Sequence, residues 1–150
     1  MMEMGGKVEQ QLKNAILSIH KGDSKLAKDV IEQEKFIDQM EKDIDDSCIL
    51  VIARRQPAAS DLRLVMAVTK AVNDLERIGD EAKKIANHSI ILSEKDNANS
   101  GYPEVRHIGA SVSKMLSDAL TAFARFDSEA ALRTFNQDEQ IDLEYKTALR

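Results

Sequence analysis

Glu76 and Asp80 are the residues whose types and spacing most directly suggest chemistry in this sequence. They lie one helical turn apart in "NDLERIGDEAKK", beside an apolar stripe that includes Leu75. Two carboxylates at this spacing share a helix face and repel each other, and oxygen ligands suit hard or borderline cations such as Mg²⁺, Mn²⁺ or iron. The pair therefore indicates either a metal site or a solvated acidic face in which Arg77 and Lys84 offset the charge.

A second acidic pair with the same spacing, Glu41 and Asp45, lies in "MEKDID" on the preceding predicted helix. Two such pairs on antiparallel helices form a carboxylate cluster if they face each other, and the sequence leaves that point open. The segment "EVRH", from Glu104 to His107, matches the Glu-x-x-His element of di-iron helical bundles. Those sites need two copies and this sequence has one, so we interpret the match as coincidence.

The segment "ARRQPAASDLR" is the compact basic and turn-forming stretch of the sequence. Its Arg54, Arg55 and Arg63 either bind an acidic surface of a partner protein or cap the carbonyl groups at a helix end. A glycine-rich phosphate loop, a nucleophile elbow and a Cys/His metal spacing are absent from the sequence. We therefore expect a protein that is not an enzyme.

Composition favours a helical intracellular protein. The 150 residues carry a net charge of −5 with basic residues interleaved among acids, which argues against nucleic-acid binding. Cys48 is the single cysteine, and its apolar neighbours suggest simple burial in a reducing compartment. The longest apolar run, "CILVIA", is too short to span a bilayer and the N-terminus lacks a signal-peptide pattern. We expect a cytoplasmic chain without membrane insertion.

Apolar residues recur with helical periodicity along most of the sequence. The pattern predicts a first helix ending near "HKGD", a second capped by Asp23 and ended by Pro57, and a third capped by Ser60 and running to about Leu92. The linker "SEKDNANSGYP" and two further helices, separated near Phe126, complete the prediction.

The helical pattern is duplicated at a constant offset of 104 residues. Val8 aligns with Val112, Leu12 with Leu116, and the pair "DS" at 23–24 with the "DS" at 127–128. A duplicated helical unit explains this register. We expect a first unit over residues 1–93, a linker over 94–103, and a partial second unit over 104–150 that contains two helices.

The segment "IARRQPAASDLRLVMAVTKAVNDLERIGDEAKKIA" resembles the signature segment of the PhoU family, the phosphate-transport accessory and regulatory proteins of bacteria. "GGKVEQQLKNAI", "DSKLAKDVI" and "DEQIDLEYK" are similar to that family as well. The resemblance implies an all-α fold of tandem three-helix bundles, here with the first bundle complete and the second incomplete. Against the family pattern, the sequence starts late and lacks a second acidic motif, so we expect it to be shortened at both ends.

The resemblance also implies a function and a metal site. It implies negative regulation of the phosphate-starvation response through the ATPase subunit of the phosphate transporter and the sensor histidine kinase. It implies bound iron, zinc, manganese or magnesium at an acidic helix motif, which Glu76 and Asp80 match, with Asp74 as a further acid. An all-helical interaction scaffold without metal is the alternative. Because the two helices of the second unit would leave apolar stripes exposed, we also expect a homodimer.

Overall fold

The computed structural model of the chain describes residues 1–95 and 102–148, which form helices without a strand in those ranges. The helices are α1 (Met2–Lys21), α2 (Ser24–Arg55), α3 (Ala59–Glu94), α4 (Pro103–Arg125), α5 (Ser128–Asn136) and α6 (Asp138–Ala148). The predicted all-α fold is confirmed. None of the described helices is both long and apolar enough to cross a membrane.

Local sequence signals account for the ends of α1 and α2. Gly22 ends α1 with φ at 62°, a left-handed conformation that glycine adopts without a steric penalty. Asp23 then caps α2, since its carboxylate accepts hydrogen bonds from the backbone N–H groups of Lys25 and Leu26. At the other end α2 stops at Arg55, two residues before Pro57, as predicted.

The start of α3 differs from the prediction. The helix begins at Ala59 with Ala58 as its N-cap residue and without a side-chain cap, so the prediction of Ser60 as the cap is wrong. The physical reason is that Ala58 has an extended backbone, with φ at −65° and ψ at 166°, and the helix starts at the next residue, so Ser60 already lies in the first turn. Asp61 lies in the first turn, where its charge favours the helix N-terminus.

The helices α1, α2 and α3 form a three-helix bundle around one apolar core. Because α2 runs antiparallel to both α1 and α3, the hydroxyl of Ser24 at the start of α2 lies 2.6 Å from that of Ser93 near the end of α3. The core residues are fully or almost fully buried: Met4, Val8, Leu12, Ala15, Ala27, Val30, Ile37, Val72, Leu75, Ala82 and Ala86. This packing fixes the face that each long helix turns toward its neighbour.

The second unit packs on the first through α1 and α4, which lie side by side and antiparallel. A Cβ atom added to Gly5 of α1 would lie 2.6 Å from Leu120 of α4, and one added to Gly109 of α4 would lie 2.8 Å from Ile16 of α1. Each glycine therefore receives a large side chain of the opposite helix. This reciprocal packing holds the two axes close together.

In the second unit, the predicted second helix is divided at Gln137 into α5 and α6. The N–H of Gln137 donates to the carbonyl of Thr134, a tighter i→i−3 bond than the α-helical pattern. Asp127 caps α5 through the N–H of Ala130, repeating the role of Asp23 in the first unit. Most of the predicted linker 94–103 lies outside the described residues, which resume at Tyr102.

A wide apolar groove lies between α4 and α5, with a volume of about 580 Å³. Met115, Phe123 and Phe135 contribute to its walls. Phe126, at the mouth, is 75% exposed and has a φ of 53°, although it is not a glycine. We call this feature the α4–α5 groove.

Candidate metal centre

Three carboxylates from two antiparallel helices come together in the first bundle. Glu34 of α2 and Glu76 and Asp80 of α3 each offer an oxygen, and these oxygens all lie within 4.8 Å of one another. Glu76 and Asp80 lie one turn apart on the face of α3 that packs on α2, next to the buried Leu75 and Gly79. We call these three residues the carboxylate cluster.

Gly79 allows the close helix packing that builds the carboxylate cluster. A Cβ atom at this position would lie 3.2 Å from Oε1 of Gln11 on α1 and 3.4 Å from Cγ2 of Ile37 on α2. Gln11 is fully buried and its amide donates to the backbone carbonyl of Val30. The glycine between Glu76 and Asp80 therefore lies where all three helices meet.

Glu34 is the most buried member of the cluster, with its side chain 6% exposed. Lys83 of α3 donates a hydrogen bond of 2.7 Å to Oε2 of Glu34 and remains 37% exposed itself. A buried carboxylate needs such a partner, because an unpaired charge in a low-dielectric environment is strongly unfavourable.

The ionisation of the cluster reflects burial and crowding of like charges. Burial first, and then the charges of Asp80 and Glu41, raise the pKa of Glu76 above its ordinary value. Burial also raises the pKa of Glu34, against the opposing effect of its hydrogen bond with Lys83. That same hydrogen bond raises the pKa of Lys83 and keeps it protonated. When they are ionised, the three carboxylates carry more negative charge than the single ammonium group of Lys83 neutralises.

The structure brings together only some of the predicted ligands. Glu76 and Asp80 belong to the cluster, whereas Asp74 is 73% exposed and lies 4.0 Å from Arg77 on the outer face of α3. Glu41 is close enough to raise the pKa of Glu76 but is not a member of the three-residue group. Asp45 lies further along α2, about 16 Å from Glu34 by helical rise, at a different level of the bundle.

Sequence reasoning missed Glu34. The signal was present, since Glu34 and Asp38 have the same E-x-x-x-D spacing in "EKFID" as Glu76 and Asp80. Asp38 also acts electrostatically on both Glu34 and Glu76. Glu34 lies seven residues, about two helical turns, before the predicted Glu41, whose charge also raises the pKa of Glu76.

The other predicted functional residues lie away from the cluster. Arg54 and Arg55 at the end of α2 and Arg63 near the start of α3 are exposed at the same end of the hairpin. His107, from the Glu-x-x-His match, lies 3.7 Å from Glu144 of α6, and Glu104 does not join them in a three-ligand group within the described residues.

The chemistry of the donor set fits a hard cation. Carboxylate oxygens are the ligands that magnesium, manganese and ferric or ferrous iron accept, whereas zinc more often takes histidine or cysteine. Glu34 is buried and held by the α2–α3 packing, and burial together with the neighbouring acids raises the pKa of Glu76. Glu34, Glu76 and Asp80 would hold the ion, which would neutralise their mutual repulsion.

The antiparallel bundle, the internal duplication and the acidic motif of α3 place the chain in the class of all-α proteins built from repeated helical bundles. Residues 1–88 and 105–150 match the PhoU domain family, and the chain belongs to that family. It is 53% identical over 150 residues to a phosphate-specific transport system accessory protein PhoU homolog of Pseudomonas putida, and 44% identical over 149 residues to the PhoU protein of Escherichia coli.

Solved structures agree with the fold. The chain matches the crystal structure of PhoU from Pseudomonas aeruginosa with a TM-score of 0.95 at 53% identity, covering 99% of this chain and 71% of that one. It matches the PhoU of Streptococcus pneumoniae with a TM-score of 0.90 at 29% identity, covering 98% and 69%. The chain spans 59% of the length of the Pseudomonas putida relative and 61% of that of Escherichia coli.

Proposed function

We propose that the chain is a non-enzymatic cytoplasmic regulator of phosphate uptake that binds a divalent or trivalent cation at the carboxylate cluster. It acts as a negative regulator of the phosphate-starvation response and modulates high-affinity uptake by contact with the transporter's ATPase subunit and the sensor histidine kinase. Family membership supports the regulatory role. The observation that carries the metal site is the convergence of three carboxylates from α2 and α3.

Thermal unfolding of chelator-stripped protein tests the metal site. A cation that binds the native chain alone stabilises it by mass action, by about 2.7 kcal/mol at a free concentration of 100 times the Kd. We expect Mn²⁺, Mg²⁺ or Fe³⁺ to raise the melting temperature of the wild type. The Glu76→Gln/Asp80→Asn double variant should lose this shift, and an undiminished shift in that variant would remove both residues from the site.

A variant of the exposed Asp74 provides the matched control. Asp74→Asn removes one negative charge from α3 without touching the cluster, since this side chain pairs with Arg77 in solvent. We expect the cation-dependent shift to survive in this variant. Its loss would place Asp74 in the site, as the sequence suggested.

The exposed arginines at the α2–α3 end form the proposed partner surface. Arg54, Arg55 and Arg63 concentrate positive charge on a chain whose net charge is −5, and arginine pairs with carboxylates in bidentate geometry. The double variant Arg54→Glu/Arg55→Glu should weaken binding to purified transporter ATPase and sensor kinase. Arg77→Glu, which reverses an 80% exposed arginine elsewhere on α3, should not. Salt-sensitive binding to DNA would contradict this surface assignment.

One observation favours the alternative of a scaffold that needs no metal. Lys83 already supplies a positive charge to Glu34 at 2.7 Å, so the most buried carboxylate is neutralised by the chain itself. Partner binding that is equal with and without cations, together with unchanged melting temperatures, would establish the scaffold instead.

We further propose that the chain forms a homodimer through the α4–α5 groove. Phe126 and Phe135, which both line this groove, are each 75% exposed, and exposed apolar surface of this kind is typical of interfaces. Sedimentation of the full chain should show at least a dimer, and Phe135→Asp should shift it toward the 16.7 kDa monomer. Phe36→Asp, at a 68% exposed phenylalanine of α2, is the matched control. A monomeric wild type would refute the dimer.

A further inference from the structure

Lys83 places an ammonium group at the edge of the carboxylate cluster. It follows Asp80 by three residues, so both side chains leave α3 on the same face, one turn apart. Its Nζ lies 2.7 Å from Oε2 of Glu34, the most buried residue of the cluster. One carboxylate of the candidate metal centre is therefore already engaged by a cation belonging to the chain.

We propose that Lys83 is an internal counter-ion that competes with the metal ion for Glu34 and withdraws when metal binds. This inference rests on the metal site proposed above and concerns its regulation. Metal–carboxylate distances are about 2.0 to 2.6 Å. A metal ion and an ammonium both bound to Glu34 would lie within a few ångström of each other, where two positive charges repel strongly.

The two partners of this ion pair differ in their freedom to move. The Lys83 side chain is 37% exposed and its flexible stem can carry the ammonium into solvent. Glu34 is 6% exposed and is held in place on the buried side of α2. The lysine is therefore the group that moves when a second cation reaches Glu34.

This arrangement gives Glu34 a positive partner in both states. A buried carboxylate left alone would strongly destabilise the fold, and Lys83 prevents that state before the metal binds. The same contact weakens metal binding, because the ion must displace the ammonium. Lys83 therefore sets the affinity of the site, and metal binding transfers a positive charge from the α2–α3 contact to the surface of α3.

Calorimetric titration of Mn²⁺ into the chelator-stripped full chain tests the exchange. Lys83→Met removes the competing cation, and we expect the Kd for Mn²⁺ to fall about two- to five-fold, the range expected for a partly exposed ion pair. Lys84→Met is the matched control. It removes the same charge from the next residue of α3, which forms an exposed ion pair with Glu81. Its Kd should change less than two-fold. Lys83→Arg, which keeps the charge, should bind Mn²⁺ no tighter than the wild type.

A second measurement follows Lys83 directly in the wild type. The side-chain ammonium resonance, protected from exchange by the bond to Glu34, should lose that protection as diamagnetic Mg²⁺ is added. The exchange is overturned if Lys83→Met leaves the Kd for Mn²⁺ unchanged or if Lys84→Met increases the affinity for Mn²⁺ equally. It is also overturned if the Lys83 ammonium stays protected from exchange with solvent at saturating Mg²⁺. The metal site itself fails separately, if the wild type takes up no Mn²⁺ or the Glu76→Gln/Asp80→Asn variant binds it unchanged. Should Lys83→Met fail to fold, the resonance measurement decides.

Discussion

Replacing Glu76 by glutamine removes one negative charge from the carboxylate cluster while keeping the length and polarity of the side chain. In the absence of cations, this change should stabilise the fold rather than weaken it. The three cluster oxygens lie within 4.8 Å of one another. At that separation two unit charges repel by about 1 kcal/mol in water and about 3.5 kcal/mol at an effective dielectric constant of 20.

The lower value applies here, because Glu76 is only half-buried and salt screens its charge. A gain of about 1 kcal/mol corresponds to a rise in melting temperature of about 2 to 4 °C for a chain of this size. Differential scanning calorimetry in chelator measures it. The opposite outcome is expected with saturating Mn²⁺, where the wild type gains stability from the ion and Glu76→Gln gains less.

The stability gained by Glu76→Gln should also depend on pH, and the direction of that dependence follows from the pKa of Glu76. Because burial and the neighbouring acids raise the pKa of Glu76 in the folded state, the native chain takes up this proton at a higher pH than the unfolded chain does. The wild type therefore recovers stability as the pH falls through the folded-state pKa. The advantage of Glu76→Gln should be full at neutral pH and should vanish below the ordinary value of 4.5.

Glu81→Gln is the control for this prediction. It removes the same charge from an exposed position of α3, where Glu81 pairs with Lys84 at 2.7 Å, and should leave stability almost unchanged. An equal gain in both variants would show a response to net charge. Destabilisation by Glu76→Gln would show that repulsion within the cluster is compensated without a metal ion, and either result would refute the reasoning.

Three further outcomes are expected. Gly109→Ala should lower the free energy of urea unfolding by about 1 to 3 kcal/mol, because the new Cβ would lie 2.8 Å from Ile16. Its control is Gly6→Ala, whose new Cβ meets no described atom within 4 Å and which should be neutral or stabilising. Phe126→Gly should raise the free energy of urea unfolding by about 1 kcal/mol, because glycine adopts the left-handed φ of 53° without strain. Glu34→Gln should abolish Mn²⁺ binding in calorimetry, and Asp138→Asn, at the equivalent position of the second unit, should leave it unchanged.

Helix periodicity and capping residues were sufficient to predict most of the fold. The helix-capping signal of Asp23 and the helix-ending signal of Pro57 are local, so their effect does not depend on the packing of the rest of the chain. The repeated "DS" at 127–128 predicted a second capped helix, and Asp127 does cap α5. The wrong cap at Ser60 arose because the sequence does not show how far the extended backbone after Pro57 continues.

The membership of the metal site was less predictable, because it depends on the axial register between two long helices. Helix α2 carries many acids, and two pairs of them, Glu34–Asp38 and Glu41–Asp45, have E-x-x-x-D spacing. The part of α2 that lies beside Glu76 and Asp80 is decided by long-range packing, including the contact between Ser24 and Ser93. The sequence identified the α3 pair through its place beside the apolar stripe, but it did not indicate that Glu34 of α2 lies with this pair.

The sequence pattern also did not predict how exposed the end of the α2–α3 hairpin around Pro57 is. The cause of this exposure is geometric. Cys48 was predicted to be buried but is only half-buried, and its neighbour Val51 is 40% exposed. Gln11 of α1 bonds to Val30 of α2, so the antiparallel arrangement places the start of α1 near residue 39 of α2. Beyond that level α2 and α3 extend past the end of α1. The apolar stripe of α2 therefore continues into a part of the hairpin that α1 does not cover.

The duplication explains why the two units offer different surfaces from similar sequences. At the offset of 104 residues, the residues that line the α4–α5 groove correspond to those on which α3 packs in the first unit; thus Ala119 and Ala131 correspond to the buried Ala15 and Ala27. Asp138, also on the groove, corresponds to Glu34. In the first unit, α3 covers this surface and supplies two acids opposite Glu34. In the described part of the second unit the same surface is an open apolar groove, so the duplicated acid alone does not create a carboxylate cluster.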